Sequence, residues 1–164
     1  MKVLKYKILL AVALLGFHEA TAFDLQKIFS KEFKTSPSNI ELQEFIPEYL
    51  AEDETDQFFK LYANKQGEGY VVLAKAKGKN DYFDFFVWYD FEISVKLVKV
   101  VSYFSDHGGE ISGKKWLSQF IGYSGDELEY GKDVQAISGA TISGKAITSK
   151  IEELTKKLRN YTEN

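Results

Sequence analysis

The chain has 164 residues, no cysteine, two histidines, 21 basic and 24 acidic side chains, and a net charge of −3. The absence of cysteine excludes disulfides, thiolate catalysis, iron–sulfur clusters and cysteine-ligated zinc, and two histidines are too few for a histidine-rich metal site or a bis-histidine haem. Mild acidity argues against nucleic-acid binding, which needs a concentrated basic face, and the lack of cysteine and shortage of histidine leave any redox chemistry to an organic cofactor.

Lys2, Lys5 and Lys7 precede the apolar run Ile8 to Phe17, and Ala20-Thr21-Ala22 supplies small residues after it. That order predicts a secretory signal peptide over residues 1–22. The apolar run is shorter than the roughly 20 residues of a membrane span; the alternative is a retained N-terminal anchor. Both readings imply an exported protein, periplasmic or membrane-associated. Cleavage after Ala22 leaves 142 residues and removes three lysines and one glutamate, taking the net charge from −3 to −5. A chain of that size suits one domain with a single core. The organisation expected is a signal over 1–22, an N-terminal helical segment over 23–57 and the main domain over 58–160.

Phe23 to Phe33 places Leu25, Ile28, Phe29 and Phe33 at helical spacing. Ser36-Pro37-Ser38 breaks that pattern, and Ser38 with Glu41 forms a capping-box signature for a second short helix, ended by Pro47. Residues 51–57 are acidic and read as a surface connection. Gly69 to Ala76 reads as a strand, Gly78-Lys79-Asn80-Asp81 as a turn, and Tyr82 to Asp90 as a second strand. In the latter, Phe83, Phe85, Val87 and Tyr89 share one face, with Tyr82, Asp84, Phe86, Trp88 and Asp90 on the other, so both faces are expected to be partly covered. The aromatic crowding fits either core packing or a stacking surface for a planar ring. A third strand over Lys96 to Phe104 completes an antiparallel meander. Ser112 opens a short helix with Trp116, Leu117, Phe120 and Ile121 as its apolar stripe. A final amphipathic helix starts near Ser143 and carries Ile147, Ile151, Leu154 and Leu158 on one face, with residues 160–164 expected to fray. The fold class expected is α+β: an antiparallel meander with packed helices and a small-residue loop leading into the C-terminal helix.

That loop is the informative segment. Ala136 to Thr148 joins an apolar strand end to the last helix through Ser138-Gly139-Ala140-Thr141. Gly139 permits a tight turn and close approach. The first helical turn leaves backbone N–H groups unpaired, and the helix dipole favours an anion there. Ser138, Thr141 and Ser143 add hydroxyls, and Lys145 adds positive charge. Two readings follow from the residues alone: a phosphate-binding turn, or an ordinary helix cap.

Ser138-Gly139-Ala140-Thr141 followed by Ile142-Ser143 resembles the flavinylation motif of the FMN-binding domain family, whose members include the C subunit of the sodium-translocating NADH:quinone oxidoreductase and the G subunit of the Rnf complex. The resemblance runs from roughly Phe58 to Leu158. It takes in Gly69-Tyr70-Val71, the hairpin that follows, His107 to Glu110, and Trp116-Leu117-Ser118-Gln119-Phe120-Ile121-Gly122, which is similar to the family's Phe-Leu-x-Gln-Phe-x-Gly helix. It implies an FMN-binding domain over 58–160, with FMN esterified through its phosphate to Thr141. Ser138, Gly139, Ala140, Ser143 and Lys145 would surround the phosphate. Glu110 would either hydrogen-bond the ring or ribityl chain or serve as a surface-turn carboxylate.

The chain departs from the family pattern at two places. The family's Asp three residues before the Ser is Gln135 here, with Asp133 displaced by two. The family's His-x-Glu-Thr-Pro-Gly is Asp106-His107-Gly108-Gly109-Glu110-Ile111-Ser112-Gly113 here, and His107 reads as a solvent-side turn residue. The function the resemblance implies is electron relay between a membrane electron-transfer complex or other redox protein and an extracytoplasmic acceptor, after loading by a flavin transferase. No Gly-x-Gly-x-x-Gly follows a strand, so a carrier is expected rather than a stand-alone enzyme. The alternatives are a flavin-free scaffold in an envelope complex and a non-covalent FMN binder.

Overall fold

The apolar residues of the chain follow two periods, and each period finds its partner surface. A computed structural model describes residues 18–47, 55–104 and 108–163. The elements are α1 (His18–Glu32), β1 (Ile40–Phe45), β2 (Gln57–Ala63), β3 (Gln66–Lys77), β4 (Tyr82–Tyr89), β5 (Val95–Ser102), α2 (Lys114–Leu117) and α3 (Thr141–Glu163). The five strands form one antiparallel sheet in the order β1-β2-β3-β4-β5, with helices packed on it, an α+β arrangement.

Alternation along the strands sends side chains to two separate cores. On one face Val72, Ala74, Phe83, Phe85, Val87 and Tyr89 pack with Ile147, Ile151, Leu154 and Leu158 of α3. On the other, Phe59, Leu61, Val71 and Phe86 pack with Leu25 and Phe29 of α1. Phe29 and Phe33 both meet the Trp88 indole edge-on, with centroids 5.8 and 5.3 Å away. Apart from exposed Tyr82, the β4 aromatics therefore pack into the cores on both faces, as the double-sided pattern of Tyr82 to Asp90 suggests.

Three expectations need correction. The second short helix after Ser38 does not form. A single 3-10 turn, Pro37–Asn39, leads directly into β1. Ser36 and Ser38 bond each other through their hydroxyls at 3.0 Å, so no capping box is made, and Ile40 and Leu42 pair with Ala63 and Leu61 of β2. The short helix expected from Ser112 is broken: 3-10 turns at Gly109–Ser112 and Ser118–Phe120 flank the four residues of α2, and Ile121 points outward. The C-terminal helix continues through residues 160–163 rather than fraying, because Tyr161 stacks on Phe45 at 4.6 Å and meets Tyr70 at 6.4 Å.

The tight connections explain the meander. Gly78 N–H donates to the Asp81 carbonyl at 2.8 Å to close the β3–β4 turn. Asp90 closes the β4–β5 turn by accepting from Glu92 and Ser94 N–H. Gly69 sits at φ +109, and a methyl group there would come within 2.0 Å of the Tyr89 carbonyl oxygen, so only glycine lets β3 and β4 approach here. No described helix is long and apolar enough to cross a membrane. The apolar run Ile8 to Phe17, His107 and most of the acidic 51–57 connection lie outside the described residues.

Candidate functional site

The N-terminus of α3 is built by a turn that contains the Ser138 to Thr141 segment. Ala140 N–H donates to the Ile137 carbonyl at 3.3 Å, with Gly139 at φ +83 on the tip. Nothing lies within 4 Å of a methyl group placed on Gly139, so its requirement is conformational rather than spatial. The Ala140 carbonyl accepts from Gly144 N–H at 2.8 Å. Ala140 therefore occupies the cap position with a side chain that cannot cap. The N–H groups of Thr141, Ile142 and Ser143 have no carbonyl one turn behind them. The first turn also contains no acidic side chain, so its partial positive charge is uncompensated from within the helix.

The three hydroxyls of the segment stand in different surroundings. Ser138 and Thr141 are exposed, as are Gly139 and Lys145, whereas Ala140 and Ser143 are each 2% exposed. The Ser143 Oγ lies 3.0 Å from the Tyr103 hydroxyl. Two glycines clear the space around this pair. A methyl group on Gly108 would come within 2.5 Å of the Tyr103 hydroxyl and 3.3 Å of Ser143 Oγ, and one on Gly78 would also come within 3.3 Å of Ser143 Oγ. The α3 N-terminus thus meets the β3–β4 turn, the end of β5 and the start of the Gly109–Ser112 turn. Glu110 is on that last turn, exposed, and its carboxylate makes no hydrogen bond or ion pair among the described residues. Gly108 brings the neighbourhood of Glu110 to the α3 N-terminus.

The backbone before the turn is clamped by side chains. Trp116 Nε1 donates to the Gln135 carbonyl at 2.7 Å, and Gln119 Oε1 accepts from Gln135 N–H at 2.8 Å. Two residues on, Ile137 N–H donates to the Tyr130 hydroxyl at 2.8 Å. The Tyr130 ring lies against Gly144, where a methyl group would approach it to 2.4 Å. Asp133 is engaged elsewhere: its Oδ2 accepts from Glu129 N–H at 2.9 Å and stiffens its own turn. Gln135 itself is exposed.

Sequence reasoning missed the clamp and the Tyr103–Ser143 pair. The Trp116-x-x-Gln119 spacing was the available signal for the clamp, since residues three apart share a helix face. Nothing local marks Tyr103. A cleft of about 500 Å³ lies between α1, β5 and residues 112–121, and Ser138 to Lys145 do not line it. Among the described residues no group of acidic or histidine side chains is arranged to hold a metal ion. Compared with models of protein families and with curated proteins, the sequence matches none.

Proposed function

We infer that the chain is an exported flavoprotein that carries FMN through a phosphoester on Thr141 and relays electrons. The observation that carries this reading is the Thr141 hydroxyl, exposed on the first residue of a 23-residue helix whose cap residue is alanine. The chemistry of the place fits a phosphate diester. A hydroxyl is available to form the bond. Ala140 and the open turn at Gly139 leave room for a modifying enzyme. The three first-turn N–H groups, which have no partner among the described residues, and the helix dipole favour the single negative charge that such an ester keeps. Lys145, one turn further on, adds charge of the same sense as the dipole.

Bound FMN would supply one- and two-electron transfer. The work left to this chain is positional. Trp116, Gln119 and Tyr130 hold the loop, and Tyr103 fixes Ser143 inward, so that of the three hydroxyls at 138, 141 and 143 those of Ser138 and Thr141 belong to the exposed residues. Glu110 stands within the same neighbourhood as an exposed carboxylate with no partner among the described residues. The partners this reading requires are a flavin transferase, a membrane electron-transfer complex or other redox donor, and an extracytoplasmic acceptor. Gln135 in place of an acidic residue favours the second reading, a flavin-free scaffold module.

Co-expression with a flavin transferase, followed by denaturing electrophoresis and ultraviolet illumination, tests the assignment. Covalent FMN leaves a fluorescent band that Thr141→Ala abolishes without unfolding the protein. A dark wild-type band supports the scaffold, and flavin released on denaturation supports a non-covalent binder. Fluorescence retained by the alanine variant would remove Thr141 from the assignment.

A further inference from the structure

β5 is the last strand of the sheet among the described residues, so one of its edges has no described strand beside it. The start of that edge is used. Val95 N–H donates to the Tyr123 carbonyl at 2.9 Å, and the Val95 carbonyl accepts from Gly122 N–H at 2.8 Å. From Lys96 to Ser102 the backbone makes no hydrogen bond to a segment other than β4 among the described residues. The cleft of about 500 Å³ follows this stretch. Ile28 and Lys31 of α1 form one wall, Leu117 and Ile121 the other, and Leu97 to Val100 the floor. Leu97 belongs to the α1 core and Val98 to the α3 core, so the cleft straddles the sheet edge rather than lying on one face.

Its charge is opposite to that of the whole chain. Lys31, Lys99 and Lys114 line it against one carboxylate, Glu32. None of these three lysines forms an ion pair among the described residues, so within the cleft their charge is set only against Glu32. A lysine on an edge strand commonly serves to repel other strands. Lys99 alone would satisfy that role. Lys31 and Lys114 stand on the walls, and Ile121 beside them is 53% exposed, which leaves an apolar surface open where a protective device would cover it.

We propose that this cleft binds an extended acidic segment of a partner protein, which adds to β5 as a sixth strand. Backbone pairing with Lys96 to Ser102 supplies the affinity, as in other strand-addition complexes. Alternate side chains of the incoming strand meet the apolar walls, and its carboxylates meet the three ammonium groups, which fixes sign and register. The inference stands on the β5 edge and is independent of whether Thr141 carries flavin.

The test titrates the full chain into two dye-labelled heptapeptides, one alternating glutamate with valine and one alternating lysine with valine, and follows anisotropy. The acidic peptide binds at least about tenfold more tightly, and added salt weakens it. Lys99→Glu with Lys114→Glu, both exposed, lowers that affinity about tenfold and shifts preference to the lysine peptide. Amide resonances of residues 96–102 move on titration. Equal binding of the two peptides, no binding, or unchanged affinity in the double variant overturns the proposal. Dodecanoate saturating the cleft while neither peptide binds also overturns it and makes the cleft a small-amphiphile site.

Discussion

The indole N–H of Trp116 donates a 2.7 Å hydrogen bond to the carbonyl of Gln135, nineteen residues away and three before Ser138. Together with the Gln119 bond to the N–H of the same residue, it secures the backbone of Gln135 at both ends. The identity of the side chain at 135 is thereby separated from the position of the loop.

Trp116→Phe keeps an aromatic ring against Phe120 but leaves the Gln135 carbonyl without its donor. The expected loss is about 1–2 kcal/mol of stability, read from urea unfolding. Faster amide exchange confined to residues 135–141 would show that the clamp acts locally. Unchanged exchange there would show that it does not.

Two of the positive-φ glycines, Gly69 and Gly139, separate strain from collision. Gly139→Ala meets no atom and costs about 1 kcal/mol for the left-handed conformation alone. Gly69→Ala adds a collision with the Tyr89 carbonyl in the middle of the sheet, and its loss exceeds about 4 kcal/mol, the range reserved for backbone strain combined with overpacking. Thermal denaturation of both variants measures the difference.

Gly144→Ala sets helix propensity against packing. Alanine gains about 1 kcal/mol over glycine in a helix, but its methyl group would press on the Tyr130 ring at 2.4 Å. Overpacking of this kind costs about 1–3 kcal/mol. A lowered melting temperature is expected, together with loss of the Tyr130 bond to Ile137.

Asp56 is buried and pairs with Lys150 at 2.8 Å and Lys157 at 3.5 Å on α3. Lys150→Met removes the nearer of these two ammonium groups from a buried carboxylate, and a loss of about 3 kcal/mol is expected. Lys156→Met removes only the exposed pair with Glu152 and stays within about 0.5 kcal/mol. Comparable losses in the two variants would contradict this ranking of the ion pairs.

Burial, reinforced by Glu152 and Asp126, pushes the Tyr123 phenol from 10.0 up to about 12. The folded state therefore holds its proton where the unfolded state releases it. Stability that is complete below pH 10 declines as pH rises toward about 12. Tyr89, buried and bonded to Thr155, is shifted in the same direction. Urea midpoints recorded across this window should fall in the wild type and fall less in Tyr123→Phe.

The parts of the fold legible in the sequence are those where one period dominates. Ile147, Ile151, Leu154 and Leu158 sit on one helix face and are all fully buried. Phe83 to Tyr89 alternates, and both of its faces are covered. β2 escaped notice because its turn carries no glycine. Asn64 and Lys65 adopt φ values of 51° and 67°, the conformation of a type I′ hairpin usually announced by Asn-Gly. β1 escaped because Ser38 and Glu41 imitate a helix start, while the pairing that makes it a strand comes from β2, from Phe45 with Phe58 at one end to Ile40 with Ala63 at the other. At the candidate site, the turn and its exposed hydroxyls were readable from small residues before an amphipathic helix. The Tyr103 contact was not, since it joins the end of β5 to α3 across forty residues of chain.

The sheet divides its packing between two faces that touch different helices. Substitutions more than about 7–10 Å apart with no shared partner add nearly independently. Changes around Phe29, Phe33 and Trp88 should therefore combine additively with changes around Ile147 and Ile151. The strands act as an insulating wall. The α1 layer is free to diverge, or to be redesigned for a new companion, while the layer that carries Thr141 keeps its geometry.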